Sequence, residues 1–231
     1  MGEESMQNKK VDIIEIIKMG LNTQLESILA GNPAISEGKT EQGVSFLLFA
    51  AYCRNNRAVE LLKKYKQQLD IYEAASTGEL TVTKRLIEMH PDTVNKPSND
   101  GFSPLGLSCF FGHFEIAEYL IEKGADVNLV SNNSFRVAPL HSACAISDFA
   151  IAELLLKSGA NPNTTQQNEI TPLHEAAHSG KTELVKLLIE YNANVNAKMD
   201  SGQTPFSMAV EKGYTETADF IRKEINQKPA L

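Results

Sequence analysis

The sequence predicts an all-α solenoid of about seven helix-turn-helix repeats with short β-hairpin fingers. Pro104, Pro139, Pro172 and Pro205 recur at intervals of 35, 33 and 33 residues, and each stands in a phrase related to Thr171-Pro172-Leu173-His174. A pair of small residues follows each proline at a fixed distance, as at Ala176-Ala177. One unit of this length cannot bury its own apolar face, so the units are expected to stack into a single continuous core.

The residues of the repeat also predict where its helices begin and end. Thr171 can cap the first helix, and Pro172 then occupies its first position, where a missing N–H costs nothing. The small residues at positions 176 and 177 allow the next repeat to approach closely. Gly124 and Gly159 permit the left-handed conformation that ends the second helix.

Upstream of residue 98 the same register continues in a less regular form. The aligned helices put the proline position at Asp12, Phe46 and Asp70. Repeats then start near residues 6, 40, 64, 98, 133, 166 and 199 and form one domain over 1–231, the second repeat being short by about ten residues. Polar residues predict that the first and last repeats act as caps. Before the first repeat these residues are Glu3, Glu4, Lys9 and Lys10.

This pattern resembles the ankyrin repeat, whose consensus is matched almost throughout 171–196. Three phrases, at 70–75, 101–107 and 137–141, also resemble a group of stand-alone bacterial ankyrin-repeat proteins of undefined role. The resemblance implies a protein-protein interaction module without enzymatic activity or a cofactor. It also implies that partners meet the finger tips and the concave side of the first helices.

Composition narrows the function classes further. The net charge of −7 and the pI of about 5.3 argue against nucleic acid, whose binders usually carry a basic stripe. Cys53, Cys109 and Cys144 are odd in number and form no CxxC pair, which fits a reducing compartment. The polar start of the chain and the absence of a long apolar run predict a cytoplasmic protein that binds no membrane.

One motif suggests an alternative function. His174-Glu175-Ala176-Ala177-His178 has the H-E-x-x-H form in which two histidines of one helical face bind zinc and the glutamate activates water. His174 is already required by the repeat phrase, as His141 is in the preceding repeat. We therefore expect His174 to hydrogen-bond within its turn and to a neighbouring finger. A zinc-dependent hydrolase remains the enzymatic alternative.

Apolar residues concentrate at positions that such solenoids usually leave polar. They occupy the finger position two residues before the proline and the inner-helix positions after the small pair, mainly in the fourth and fifth repeats. Contiguous exposed apolar residues mark interaction sites. The predicted patch consists of the apolar residues Phe102, Phe110, Phe111, Phe135, Val137, Ile146 and Ile170, with His178 at its polar rim.

The patch predicts binding of a partner protein, as an adaptor or an inhibitor, by a monomer. The other interpretation of the patch residues is that they fill gaps in the stack. A structural subunit that stacks on copies of itself is a third functional hypothesis.

Overall fold

A computed structural model describes residues 12–227, with the side chain of Gln227 left out. Contacts within the chain divide it into two compact units, the first ending at Leu69 and the second beginning at Asp70. The prediction of one domain over 1–231 stays a prediction. The polar residues predicted to cap the first repeat, Glu3, Glu4, Lys9 and Lys10, lie outside the described residues.

The first unit contains two helix pairs, in which the first helices contact each other and so do the second helices. The Asn55 side chain, in the turn of the second pair, donates from Nδ2 to the Ile17 carbonyl at 2.9 Å and so ties the two pairs together. Lys66 forms an ion pair with Glu37 at 2.7 Å near the end of the unit. The helices are α1 (Ile13–Lys18), α2 (Asn22–Gly31), α3 (Phe46–Tyr52) and α4 (Asn56–Tyr65), with a 3₁₀ turn at Pro33–Glu37.

The second unit contains five helix pairs arranged in two rows. The first helix of each pair contacts the first helix of the next, and we call this the inner row. The inner row is α5 (Ile71–Thr77), α7 (Pro104–Phe111), α9 (Pro139–Ala145), α11 (Pro172–His178) and α13 (Pro205–Glu211). The outer row is α6 (Leu80–Met89), α8 (Phe114–Glu122), α10 (Phe149–Lys157), α12 (Thr182–Glu190) and α14 (Thr215–Gln227). Seven helix pairs in the two units confirm the predicted all-α repeat fold.

The helix starts follow the repeat chemistry. Pro104, Pro139, Pro172 and Pro205 each occupy the first turn of an inner helix, as predicted. The register was wrong by one residue at Asp12 and Asp70, which are N-caps rather than proline equivalents. Their carboxylates accept backbone N–H groups of the first turn, and this role requires the position before the helix.

The small pairs lie between inner helices, as predicted. Ala143, Cys144, Ala176 and Ala177 are completely buried, and so is Cys109 in the preceding repeat. Burial raises the pKa of the Cys109 and Cys144 thiols, so both act as packing groups rather than as nucleophiles. Cys53 is exposed and lies at the C-cap of α3.

A ladder of asparagines joins the turns that follow the outer helices. Asn163 donates from Nδ2 to the Asn192 carbonyl at 2.9 Å and accepts the N–H of Asn194 at 2.7 Å. Asn128 makes the same two bonds one repeat earlier, and Asn95 makes them two repeats earlier. Each rung therefore satisfies a carbonyl and an N–H that the end of the next outer helix leaves free.

The fingers, which join each outer helix to the next inner helix, are not the predicted β-hairpins. Within 12–227 no β-strand forms, and the only pairings are isolated bridges at Lys39 with Ser45 and at Gln166 with Ile170. The Ser131 N–H donates to the Val137 carbonyl, and a single bond of this kind closes each finger. One bond is too few for a strand ladder. The N–H groups of Phe102 and Val137, which could extend the pairing, donate instead to the Ser98 and Ser131 hydroxyls of their own fingers.

No helix within 12–227 combines the length and the apolar character that crossing a bilayer requires.

Two alanine substitutions test how much the asparagine ladder contributes to stability. Asn163→Ala removes two hydrogen bonds between repeats and should lower the free energy of unfolding by about 1–2 kcal/mol. Asn196 takes the same position in the next repeat, and among the described residues its side-chain amide has no hydrogen bond. Asn196→Ala should therefore change stability by less than about 0.5 kcal/mol. Urea unfolding at constant m-value checks both, and equal losses would contradict a ladder contribution.

Candidate functional site

The finger tips of the second unit are joined by backbone hydrogen bonds. The Asn132 N–H donates to the Gly101 carbonyl at 2.7 Å, and the Gln167 N–H donates to the Phe135 carbonyl at 2.9 Å. The Asp200 N–H continues the series to the Asn168 carbonyl at 3.1 Å. Each tip is thus held by the next one, so the row of fingers is a rigid platform rather than a set of independent loops.

Two of these tips hold non-glycine residues in the left-handed backbone region. The φ angles are 54° at Arg136, 65° at Asn168 and 58° at Glu169. This conformation costs about 1 kcal/mol or more for a residue with a Cβ atom. The bonds between fingers offset that cost, and Arg136 and Glu169 hold their charged side chains exposed at the tips.

Two buried histidines fix the fingers to the inner helices. His141 Nδ1 accepts the Ala138 N–H at 3.3 Å, while its Nε2 lies 3.0 Å from the Ile170 carbonyl. His174 makes the equivalent contacts with the Thr171 N–H at 3.2 Å and the Gln203 carbonyl at 3.3 Å. These partners assign the neutral tautomer that carries its proton on Nε2. Burial lowers the pKa of His141 to about 4 and also lowers that of His174.

The H-E-x-x-H motif does not have the geometry of a zinc site. His174 Nδ1 uses its lone pair to accept the Thr171 N–H, and Nε2 carries the proton donated to the Gln203 carbonyl, so neither nitrogen is available to a metal. His178, one turn later, is exposed. Within 12–227 no group of three His, Cys, Asp or Glu side chains is placed to hold a metal ion. The bonds of His174 confirm its predicted structural role.

The members of the predicted patch differ in exposure. Phe135, at a finger tip, is 58% exposed, and His178 is also exposed. The other six residues are half-buried, which makes them both packing groups and surface groups. These six are Phe102, Phe110, Phe111, Val137, Ile146 and Ile170.

Most of the patch residues form two groups, a finger group and a helix-end group. The finger group, Phe102, Phe135, Val137 and Ile170, lies in the segments that precede α7, α9 and α11. The helix-end group, Phe110, Phe111 and Ile146, lies where α7 and α9 end. The Phe110 and Phe111 rings meet edge to face with their centroids 5.1 Å apart. The eight residues of α7 extend about 12 Å, and this length separates Phe102 from Phe111.

Ile146 packs beside the end of α7. A Cβ atom placed on Gly112, the C-cap of α7, would lie 3.5 Å from Ile146 Cδ1. Phe110 and Phe111 immediately precede Gly112 in the chain, so the helix-end group is assembled from two consecutive repeats.

The sequence analysis did not predict that two carboxylates on the inner row share the same arrangement. Glu175 Oε1 accepts a hydrogen bond from Gln166 Nε2 at 2.8 Å, and Glu211 Oε2 accepts one from Gln203 Nε2 at 2.7 Å. In both cases a finger glutamine holds a glutamate of the inner helix that follows. The glutamine-glutamate spacing differs between the two repeats, so no shared sequence phrase identifies the pair.

Burial raises the pKa of the half-buried Glu175 carboxyl, while the Gln166 hydrogen bond and the charge of His178 oppose the shift. No described cationic side chain lies within 4 Å of it as an ion-pair partner.

Comparison with known proteins gives one family and several partial relatives. The family model of ankyrin repeats matches residues 47–131, 71–166 and 140–229. Alpha-latrocrustotoxin-Lt1a of Latrodectus tredecimguttatus is 32% identical over 74 residues, which cover 32% of this chain and 5% of the toxin. DNA-binding protein RFXANK of Homo sapiens is 34% identical over 73 residues, or 32% of this chain and 28% of the relative.

Ankyrin repeat domain-containing protein 49 of Homo sapiens is 36% identical over 58 residues, covering 25% of this chain and 24% of the relative. The matched region therefore spans less than a third of the length of each of these three relatives.

The close packing of the fingers predicts that alanine substitution destabilises the chain more at Gly101 than at Gly124. Gly101 and Gly124 both have φ near 90°, but a Cβ atom on Gly101 would lie 2.6 Å from the Asn132 carbonyl oxygen, whereas one on Gly124 would meet nothing within 4 Å. Gly124→Ala should cost about 1 kcal/mol of stability through backbone strain alone. Gly101→Ala should cost roughly 3 kcal/mol, because the fingers must also separate. Urea unfolding measures both, and equal costs would argue against close finger packing.

The lowered pKa of His141 predicts that the folded state loses stability in acid. Its folded pKa of about 4 lies below the unfolded value of about 6.5, so its contribution is complete above pH 6.5 and falls as the pH drops toward 4. Between about pH 7.5 and 4.5 this loss should be roughly 2 kcal/mol.

The His141→Gln variant isolates this contribution. The carboxylates titrate in both proteins, so wild type and variant should differ in pH sensitivity by that amount in urea unfolding. Parallel stability curves would show that His141 does not titrate between these pH values.

Proposed function

Because the chain belongs to the ankyrin-repeat family, we propose that it binds a partner protein through the inner row and finger tips of its second unit. Ankyrin repeats are general protein-protein interaction modules. Binding without chemistry would make this chain an adaptor or an inhibitor, and we propose that it acts as a monomer in the cytoplasm. The two clusters of patch residues, the finger group and the helix-end group, are the proposed contacts.

The exposure of the Phe135 side chain at a finger tip is the main observation that supports this proposal. Aromatic side chains are enriched among the residues that dominate binding energy, and this one is 58% exposed on a finger. Its N–H donates to Asn133 Oδ1 at 3.0 Å and its carbonyl accepts the Gln167 N–H. Asn133 in turn donates from Nδ2 to the Asp100 carbonyl at 2.7 Å. A finger held on both sides loses little conformational freedom on binding, which favours affinity.

The helix-end group supplies a second area of contact. Phe110, Phe111 and Ile146 are half-buried, so their packed atoms fix the side chains and their outer atoms remain available. Exposed His178 and Lys212 provide a polar rim on the neighbouring helix ends. This combination of a partly buried apolar centre and a polar edge is typical of protein interfaces.

The alternatives have less support. The zinc-hydrolase hypothesis requires a free ring nitrogen on His174, but Nδ1 accepts the Thr171 N–H and Nε2 donates to the Gln203 carbonyl. The name of RFXANK describes a DNA-binding protein, but the match covers 28% of that protein and this chain has a net charge of −7. A protein partner is therefore the better proposal than a nucleic acid.

An aromatic pair tests the proposal. Phe135→Ala should change the free energy of unfolding by less than about 1 kcal/mol and weaken partner binding about tenfold or more. Phe149, 44% exposed on outer helix α10, is the matched control, and Phe149→Ala should leave binding unchanged.

Affinity capture from host lysate identifies the partner, and titration then compares the variants. The Phe110/Phe111 double alanine variant extends the test to the helix-end group. Full binding by the Phe135 variant and by the double variant would contradict the proposed surface.

A further inference from the structure

We propose that this surface recognises a basic side chain, lysine or arginine, which the partner inserts at Glu175 while its neighbouring apolar side chains cover the helix-end group. This inference rests on the proposed function and specifies the chemistry of the partner. The supporting observations concern Glu175, its finger partner Gln166 and the adjacent apolar residues.

The position of Glu175 places a carboxylate next to the apolar contact area. Glu175 is the fourth residue of α11, and α11 packs against α9. The fourth residue of α9 is Ser142, so Ile146 lies one helical turn, about 6 Å, beyond the level of Glu175. Ala145, the last residue of α9, is exposed, and the half-buried Ile146 follows it as the C-cap. A partner segment that covers Ile146 therefore passes within reach of the Glu175 carboxylate.

The carboxylate is pre-oriented, and no described cationic side chain lies within ion-pair distance of it. Gln166 Nε2 holds Oε1 at 2.8 Å, and this bond leaves Oε2 to accept another donor. The described part of the chain provides no cation within ion-pair distance of it, and His178 acts on it only from farther away. A half-buried carboxylate gains most from a donor that also carries positive charge, because a charge-assisted hydrogen bond is about twice as strong as a neutral one.

Glu211 repeats the arrangement one inner helix later. Gln203 Nε2 holds its Oε2 at 2.7 Å, and Glu211 is more exposed than Glu175. A basic segment running along the inner row would meet first Glu175 and then Glu211. The net charge of −7 favours approach of such a segment at long range.

The test uses a phage-displayed library of random peptides selected on the full chain. Enriched peptides should carry a lysine or arginine next to apolar residues. Replacing that basic residue by glutamine in the tightest peptide should weaken binding to the wild type about tenfold, as expected for a desolvated charge pair. The same replacement should weaken binding to the Glu175→Gln variant less than about threefold.

Glu175→Gln retains an oxygen that can accept from Gln166, so the variant should fold with an unchanged urea midpoint. Glu190→Gln is the matched control, because it removes the same charge from the same repeat on outer helix α12, and there the basic residue of the peptide should keep its full effect.

The outcomes separate the two proposals. Enriched peptides without basic residues, or basic residues with equal effects on wild type and Glu175→Gln, would overturn the carboxylate anchor and leave the apolar surface standing. Peptides whose binding survives the Phe110/Phe111 double alanine variant and Phe135→Ala, or a library that yields no binder, would overturn both.

Discussion

The close approach of neighbouring inner helices is the constraint on which the second unit depends. Ala143, Cys144, Ala176 and Ala177 are completely buried between these helices, and any larger side chain there would push two repeats apart. The asparagine ladder, the histidine contacts and the finger bonds all span adjacent repeats over distances of about 3 Å. A shift of one ångström at the small pair would break all three sets together.

Hydrogen bonds to adjacent repeats fix the backbone of the loops between the helices. The ends of outer helices and the finger tips carry N–H and C=O groups that no helix or strand accepts. An adjacent repeat supplies the partner in each case. Asn163 bonds the end of the following outer helix, and the Gln167 N–H bonds the Phe135 carbonyl of the preceding finger. Rigid fingers follow from this arrangement, and they allow residues such as Arg136 to remain in the left-handed region.

The candidate surface uses the same framework for recognition. The fingers that order the stack also position the groups proposed for recognition. Their glutamines hold Glu175 and Glu211, and their backbone bonds hold Phe135. Apolar and acidic groups therefore stand at set distances before any partner arrives, and this limits the entropy that binding must overcome. The acid sensitivity expected of His141 concerns the same fingers, because its Nε2 holds the Ile170 carbonyl.

The repeat period, the helix starts at the prolines, the small buried pairs and the structural use of His174 could be predicted from the sequence, because each is a residue pattern that recurs within one repeat. The bonds between neighbouring fingers, the absence of finger strands among the described residues and the contact of Gln166 with Glu175 became known only from the folded chain. The folded chain also showed that most of the patch residues separate into a finger group and a helix-end group. These features depend on which side chains and backbone groups of adjacent repeats and of each finger meet in space, and the spacing of residues along the chain does not specify such meetings.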